Sequence, residues 1–146
     1  MLLKVAATDP GRFRRIVVGG VGDNIFRHDD PEAAARAIET GTASEGDPGV
    51  AQAFAVFAKA PGNDPAALAA CLRRPRTPVT PGDLAGVKVP VLVVLGDRDF
   101  AGPADKLMAA LPDARLASLA GADHFGTPKD FRFIEAALGF LGDAPG

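Results

Sequence analysis

What this sequence lacks narrows it first. One cysteine, Cys71, stands among 146 residues, so no intramolecular disulfide can form and cysteine usage says nothing of redox compartment. No apolar run approaches the roughly 20 residues of a membrane span. The opening Met1-Leu2-Leu3-Lys4-Val5-Ala6-Ala7 is too short and too soon interrupted for a secretory signal, which leaves a cytoplasmic location as the expectation. Charge of one sign is also missing. Sixteen basic residues against 18 acidic ones give a net charge of −2, and this offers no electrostatic case for nucleic acid or an anionic membrane as partner. Serine occurs only at Ser44 and Ser118. What remains is a chain 47% hydrophobic and 23% charged, able to fold and of a length that suggests one domain.

The most ordered stretch is Val89-Pro90-Val91-Leu92-Val93-Val94-Leu95-Gly96-Asp97-Arg98-Asp99. Its unbroken apolar run from Val91 to Leu95 reads as a strand buried on both faces, as in a parallel sheet. Two acids follow the closing glycine, at the carboxyl end of the strand, where ligands gather in open α/β sheets. Ala114 to Leu119 reads as a last strand, followed by Gly121-Ala122-Asp123-His124-Phe125. Upstream, residues 2–8 read as a helix broken by Asp9-Pro10-Gly11, and Ile16-Val17-Val18 as a short strand with Phe13 packed beneath it. Between these strands, Asp30-Pro31, Asp47-Pro48 and Asp64-Pro65 each combine a capping acid with a proline suited to a first helical turn. They predict helices near 31–40, 48–59 and 65–74. Val50, Phe54, Phe57 and Ala58 would share one face of the second, and Leu68 and Leu72 one face of the third. Residues 75–90 carry four prolines and read as a stiff connector, with Asp83-Leu84 starting a brief turn. Pro103 to Leu111 reads as a helix. Thr127 to Asp130 has the spacing of a variant capping box and opens a final helix whose buried stripe would be Phe131, Ile134, Leu138 and Leu141.

An acid after one strand and a histidine after the next, in that order, resembles the acid and histidine of the α/β-hydrolase family. The Gly-x-x-Asp turn of that family is matched by Gly96 and Asp99, and its histidine loop by His124. The segment from Ala6 to Gly20 is similar to the stretch just after the family's nucleophile elbow. The resemblance covers nearly the whole chain and the second half of the fold. It implies an α/β class with three parallel strands, flanking helices and a helical lid insertion, the core being residues 1–24 and 83–146 and the lid 25–82. It further implies esterase-like hydrolysis of a small apolar ester or related substrate, with Asp99 and His124 as catalytic acid and base. In such a triad the carboxylate fixes the tautomer of the histidine, and the histidine takes the proton of the nucleophile.

The nucleophile elbow itself, G-x-S-x-G, does not occur. Ser44 lies in a linker, Ser118 inside the last strand, and Cys71 in a helix where it reads as a small buried apolar residue. The oxyanion hole would precede residue 1. The expectation is therefore that this chain alone is inactive, that Met1 is not the natural start, or that the chain is a non-catalytic half-domain completing a partner. Ile16 to Val18 would then be an open apolar edge for a complementing chain or a second copy.

Other candidates are weaker. Asp97 is the rival acid, with turn chemistry as its ordinary role, and Asp123 stands where the family more often has a neutral residue. Gly20-x-Gly22 matches the start of a dinucleotide fingerprint, but Ile25 occupies the position of its third glycine and no helix opens there. His28, Asp29 and Asp30 read as capping residues rather than metal ligands. No cofactor and no metal are expected.

Overall fold

The structure is a computed structural model and describes residues 2–27, 31–42, 48–75 and 77–142. In chain order it contains α1 (Leu2–Thr8), β1 (Ile16–Gly19), α2 (Glu32–Thr40), α3 (Pro48–Ala58), α4 (Pro65–Arg73), α5 (Pro81–Leu84), β2 (Val91–Gly96), α6 (Asp105–Ala110), β3 (Ala114–Leu119) and α7 (Phe131–Gly142). These elements fall into two compact units, residues 1–27 with 78–146, and residues 28–77. Among the described residues, no helix is long and apolar enough to cross a membrane.

The first unit is built on a three-stranded parallel sheet in the order β1-β2-β3. Its register pairs Ile16 with Val91 and Val91 with Ala114. Every residue of β2 is buried, because alternate side chains enter two different cores. Val91 and Val93 pack with Leu3, Ile16, Leu84 and Leu107, while Leu92 and Val94 pack with Leu119 and Phe140. Burial of each such side chain contributes about 1.5–3 kcal/mol, so β2 needs helices on both faces, and it has them.

β1 is an edge strand. The N–H groups of Ile16 and Gly20 donate to the Pro90 and Val94 carbonyls at 3.0 Å each. By the alternation of a parallel ladder, the backbone groups of Val17 and Gly19 point away from β2.

Two Thr-Pro-x-Asp stretches behave differently. At Thr80 the threonine hydroxyl accepts from the Asp83 N–H, and the Asp83 carboxylate accepts from the Thr80 N–H, which makes a full capping box. These bonds, with the backbone donor first, hold the Asp83 carboxyl below its ordinary range. The capping box expected at Thr127 does not form. Thr127 is buried, and its N–H and hydroxyl both donate to the Asp123 carbonyl at 2.9 and 2.8 Å. A short 3₁₀ turn, Thr127–Lys129, results. Asp130 takes over the cap, its carboxylate accepting from the Arg132 N–H at 2.9 Å.

The buried stripe expected on the last helix is also corrected. Phe131 is 74% exposed and Leu138 66%, and Ile134 and Leu141 are exposed as well. The face that packs on the sheet carries Phe133, Ala136 and Phe140. Both faces are apolar at helical spacing, so periodicity alone could not choose between them. The choice falls to Phe140, whose ring lies under the guanidiniums of Arg15 and Arg115 and whose carbonyl accepts a hydrogen bond from Arg15.

α6 begins later than expected, at Asp105. Ala104 cannot cap it, and Asp23, far away in sequence, does so: its carboxylate accepts from the Leu107 N–H at 3.0 Å.

The second unit consists of α2, α3 and α4. The predicted caps at Asp30 and Asp47 lie outside the described residues. Asp64 caps α4 as expected, accepting from the Ala66 and Ala67 N–H groups. The packing face of α3 is Ala51, Ala55 and Ala58, with Phe54 half-buried, whereas Phe57 is exposed. Alanine sits at these contacts and at Ala35, Ala37 and Ala69. Small side chains let helix backbones approach closely, and this outweighs the larger residues that sequence spacing favoured. Cys71, expected buried, is exposed. Arg73 links both ends of α2, donating to Glu32 at 2.9 Å and Glu39 at 2.5 Å.

Candidate active site

Two loops leave the carboxyl ends of β2 and β3 and are laced together. The Asp97 N–H donates to the Leu119 carbonyl and the Arg98 N–H to the Ala122 carbonyl, both at 3.1 Å. The Asp97 carboxylate accepts from the Gly121 N–H at 2.7 Å. Gly96 is required where the loops meet, since a Cβ there would run into the Ala122 carbonyl. From Gly96 the chain makes a single turn, in which the Asp99 N–H donates back to the Gly96 carbonyl at 3.1 Å. That turn is the physical content of the Gly-x-x-Asp spacing: glycine for close approach, then aspartate thrown inward.

The Asp99 side chain is fully buried, and that of His124 is 29% exposed. His124 Nδ1 lies 3.0 and 3.1 Å from the two carboxylate oxygens of Asp99. Oδ1 of Asp99 also accepts from the Ala101 N–H at 2.8 Å, which fixes the carboxylate from the far side. An ionised carboxylate can only accept, so against it Nδ1 is the donor and Nε2 keeps the free lone pair. Among the described residues Nε2 makes no hydrogen bond. The Phe100 ring lies 4.4 Å from the imidazole centroid at 33°, and the Phe125 ring meets it edge-on at 5.4 Å.

The first unit thus holds a parallel sheet with a buried carboxylate and an imidazole paired at its carboxyl rim. Solved structures with the same arrangement of backbone include an α/β hydrolase from a Medee basin deep-sea metagenome library, with a TM-score of 0.70 at 18% identity over 99% of this chain. They also include the enol-lactonase of Burkholderia xenovorans LB400, with a TM-score of 0.66 at 20% identity over 97%, and the carboxylesterase CesB of Bacillus subtilis, with 0.62 at 18% over 99%.

The fold is part of an α/β-hydrolase fold. The chain spans 62%, 61% and 56% of the length of those three proteins. No family model and no curated protein matches the sequence.

Within this α/β-hydrolase fold the remaining candidates separate. Asp97, the rival acid, is committed to the Gly121 N–H. Asp123 builds the turn that carries His124: its carboxylate accepts from the Gly126 N–H at 2.7 Å. Ser118 lies within β3 and Cys71 on exposed α4, neither of them on a strand-to-helix elbow. Ser44, His28, Asp29 and Asp30 fall outside the described residues. Among the described residues, no cluster of three metal-ligating side chains occurs.

Sequence reasoning missed Gly20, Phe100 and Phe125. Gly20 has φ +65°, and a Cβ on it would come within 3.1 Å of His124 Cε1. The signal was the run Gly19-Gly20-Val21-Gly22 at a strand end, weighed above only against a dinucleotide fingerprint. Glycine at such a point also marks close approach of another group.

Proposed function

We propose that Asp99 and His124 are the acid and base of an esterase-like hydrolytic site, acting on a small apolar ester or related substrate. The observation that carries this reading is the buried Asp99 carboxylate bonded at 3.0 and 3.1 Å to His124 Nδ1. In acyl transfer His124 Nε2 would accept the proton of a nucleophile as that nucleophile attacks the ester carbonyl. The positive imidazole would be steadied by Asp99, and the same proton would pass to the leaving alkoxide. A water activated in the same way would release the acid. Among the described residues no serine or cysteine stands on a strand-to-helix elbow, so the nucleophile and the oxyanion donors would come from another segment. Residues 28–77, inserted in the chain between β1 and β2, would be the lid of such an enzyme.

Two measurements test the reading. Nitrogen-15 spectra of the chain at alkaline pH are expected to show His124 carrying its proton on Nδ1, and Asp99→Ala to abolish that preference. A p-nitrophenyl ester is expected to show no turnover with the purified chain. An Nε2-protonated His124 would remove the acid–base assignment. Turnover that disappears in His124→Ala would place a nucleophile in this chain after all.

A second reading is favoured by the open edge of β1. As a half-domain, the chain would pair Val17 and Gly19 with a strand of a complementing chain or a second copy. Light scattering separates the two states, and a stable monomer at high concentration counts against this reading.

A further inference from the structure

The hydrogen bond to Asp99 does not by itself fix the His124 ring. The second torsion of a histidine is broad and roughly two-fold, so a ring held at one nitrogen can swing or flip. Two other residues border it. The Phe100 ring lies 4.4 Å away at a shallow 33°, and its backbone is anchored on both sides. The Asp99 carboxylate accepts from the Ala101 N–H at 2.8 Å, and the Phe100 carbonyl accepts from Arg27 at 3.0 Å. Gly20 contributes by what it lacks. A Cβ there would stand 3.1 Å from Cε1, 3.2 Å from Nδ1 and 3.5 Å from the Asp99 carboxylate. The Gly20 N–H donates to the Val94 carbonyl at 3.0 Å, so this backbone is tied to the sheet and cannot easily retreat.

We infer that Phe100 and Gly20 are positioning residues: the Phe100 ring and the bare Cα of Gly20 hold the imidazole in the plane where Nδ1 meets both oxygens of Asp99. This rests on the reading of Asp99 and His124 as an acid–base pair. It adds that the residue following the acid, and the loop after β1, set the orientation of the base. Phe125, edge-on at 5.4 Å, leaves the plane to Phe100.

The experiment uses the full chain labelled with nitrogen-15 histidine, with His28→Gln to assign the second of its two histidines. The readout is the ratio of Nδ1–H to Nε2–H tautomers of His124. Phe100→Leu is expected to lower that ratio roughly two- to tenfold, the size of an aromatic pair contact. Phe100→Tyr, which restores a flat ring, is expected to return it to the wild-type value. Phe100→Met, flexible and apolar, serves if the leucine variant does not fold. Gly20→Ala is expected to shift the ratio the same way in its folded population. A Phe100→Leu protein with a lower Tm and an unchanged ratio would mean that Phe100 only packs, and would overturn the inference while leaving the pair intact. A wild-type His124 without the Nδ1 proton would overturn the pair and the inference together.

Discussion

The Asp97 carboxylate accepts a hydrogen bond from the Gly121 N–H at 2.7 Å, and this bond ties the loop bearing Asp99 to the loop bearing His124. Asp97 therefore serves the candidate site at one remove, through backbone. Asp97→Ala is expected to cost about 1 kcal/mol, as the loss of one exposed charge-assisted bond. It is also expected to broaden the His124 resonances without removing the Nδ1 proton. Denaturant unfolding and the same nitrogen-15 spectra would check both.

α7 offers a test of burial against periodicity. Phe140→Ala should cost about 3–5 kcal/mol, the range for truncating a core aromatic. Leu138→Glu, on the opposite face, should stay within about 0.5 kcal/mol of the wild type and raise solubility. If the glutamate variant proved the more damaging in urea unfolding, the orientation of α7 would be wrong.

The two Thr-Pro-x-Asp stretches predict unequal responses. Thr80→Ala removes a complete capping box and should cost about 1 kcal/mol. Thr80→Ser, which keeps the hydroxyl, should recover most of it. At Thr127 the methyl is buried with the hydroxyl, so Thr127→Ser should be costly there in a way that it is not at position 80. Thermal unfolding of the matched pair measures the difference.

The second unit should be acid-sensitive. Hydrogen bonds from Arg73 hold the carboxyls of Glu32 and Glu39 below the ordinary glutamate value of 4.5, and the same pairing raises Arg73. A carboxyl lowered in the folded state stabilises fully above its unfolded value. That contribution is lost as pH falls through the folded value. Wild type and Arg73→Met should therefore differ in Tm near neutrality and converge well below pH 4.5. Salt should narrow the gap, because all three groups are solvent-accessible.

The sheet and the pairing of Asp99 with His124 were legible because their signals are local and one-directional. An unbroken apolar run, three of its five residues β-branched, admits few alternatives to a doubly buried strand, and Gly96 followed three residues later by Asp99 is a turn with a steric reason. The strand bounds Ala114 to Leu119 also agree with the structure. Most of what failed depended on partners distant in sequence. The burial of Thr127 decided the fate of its capping box. Asp23 decided where α6 begins. Phe140 decided the facing of α7, and close-packed alanines the face of α3. None of these contests is written in the neighbouring residues. Gly20 carried only the signal of its glycine run and Phe100 none, since each lies beside a residue that only the fold brings near.

The sheet is not symmetric about β2. β1 turns the backbone groups of Val17 and Gly19 away from β2 with Val17 and Val18 half-buried, whereas β3 shows Arg115, Leu116 and Ser118 to solvent. Two copies meeting at β1 would join antiparallel across a dyad axis into a continuous six-stranded ribbon. Its outer rims would then both be β3 strands, so pairing at β1 would bury one edge of each copy and leave two further edges open.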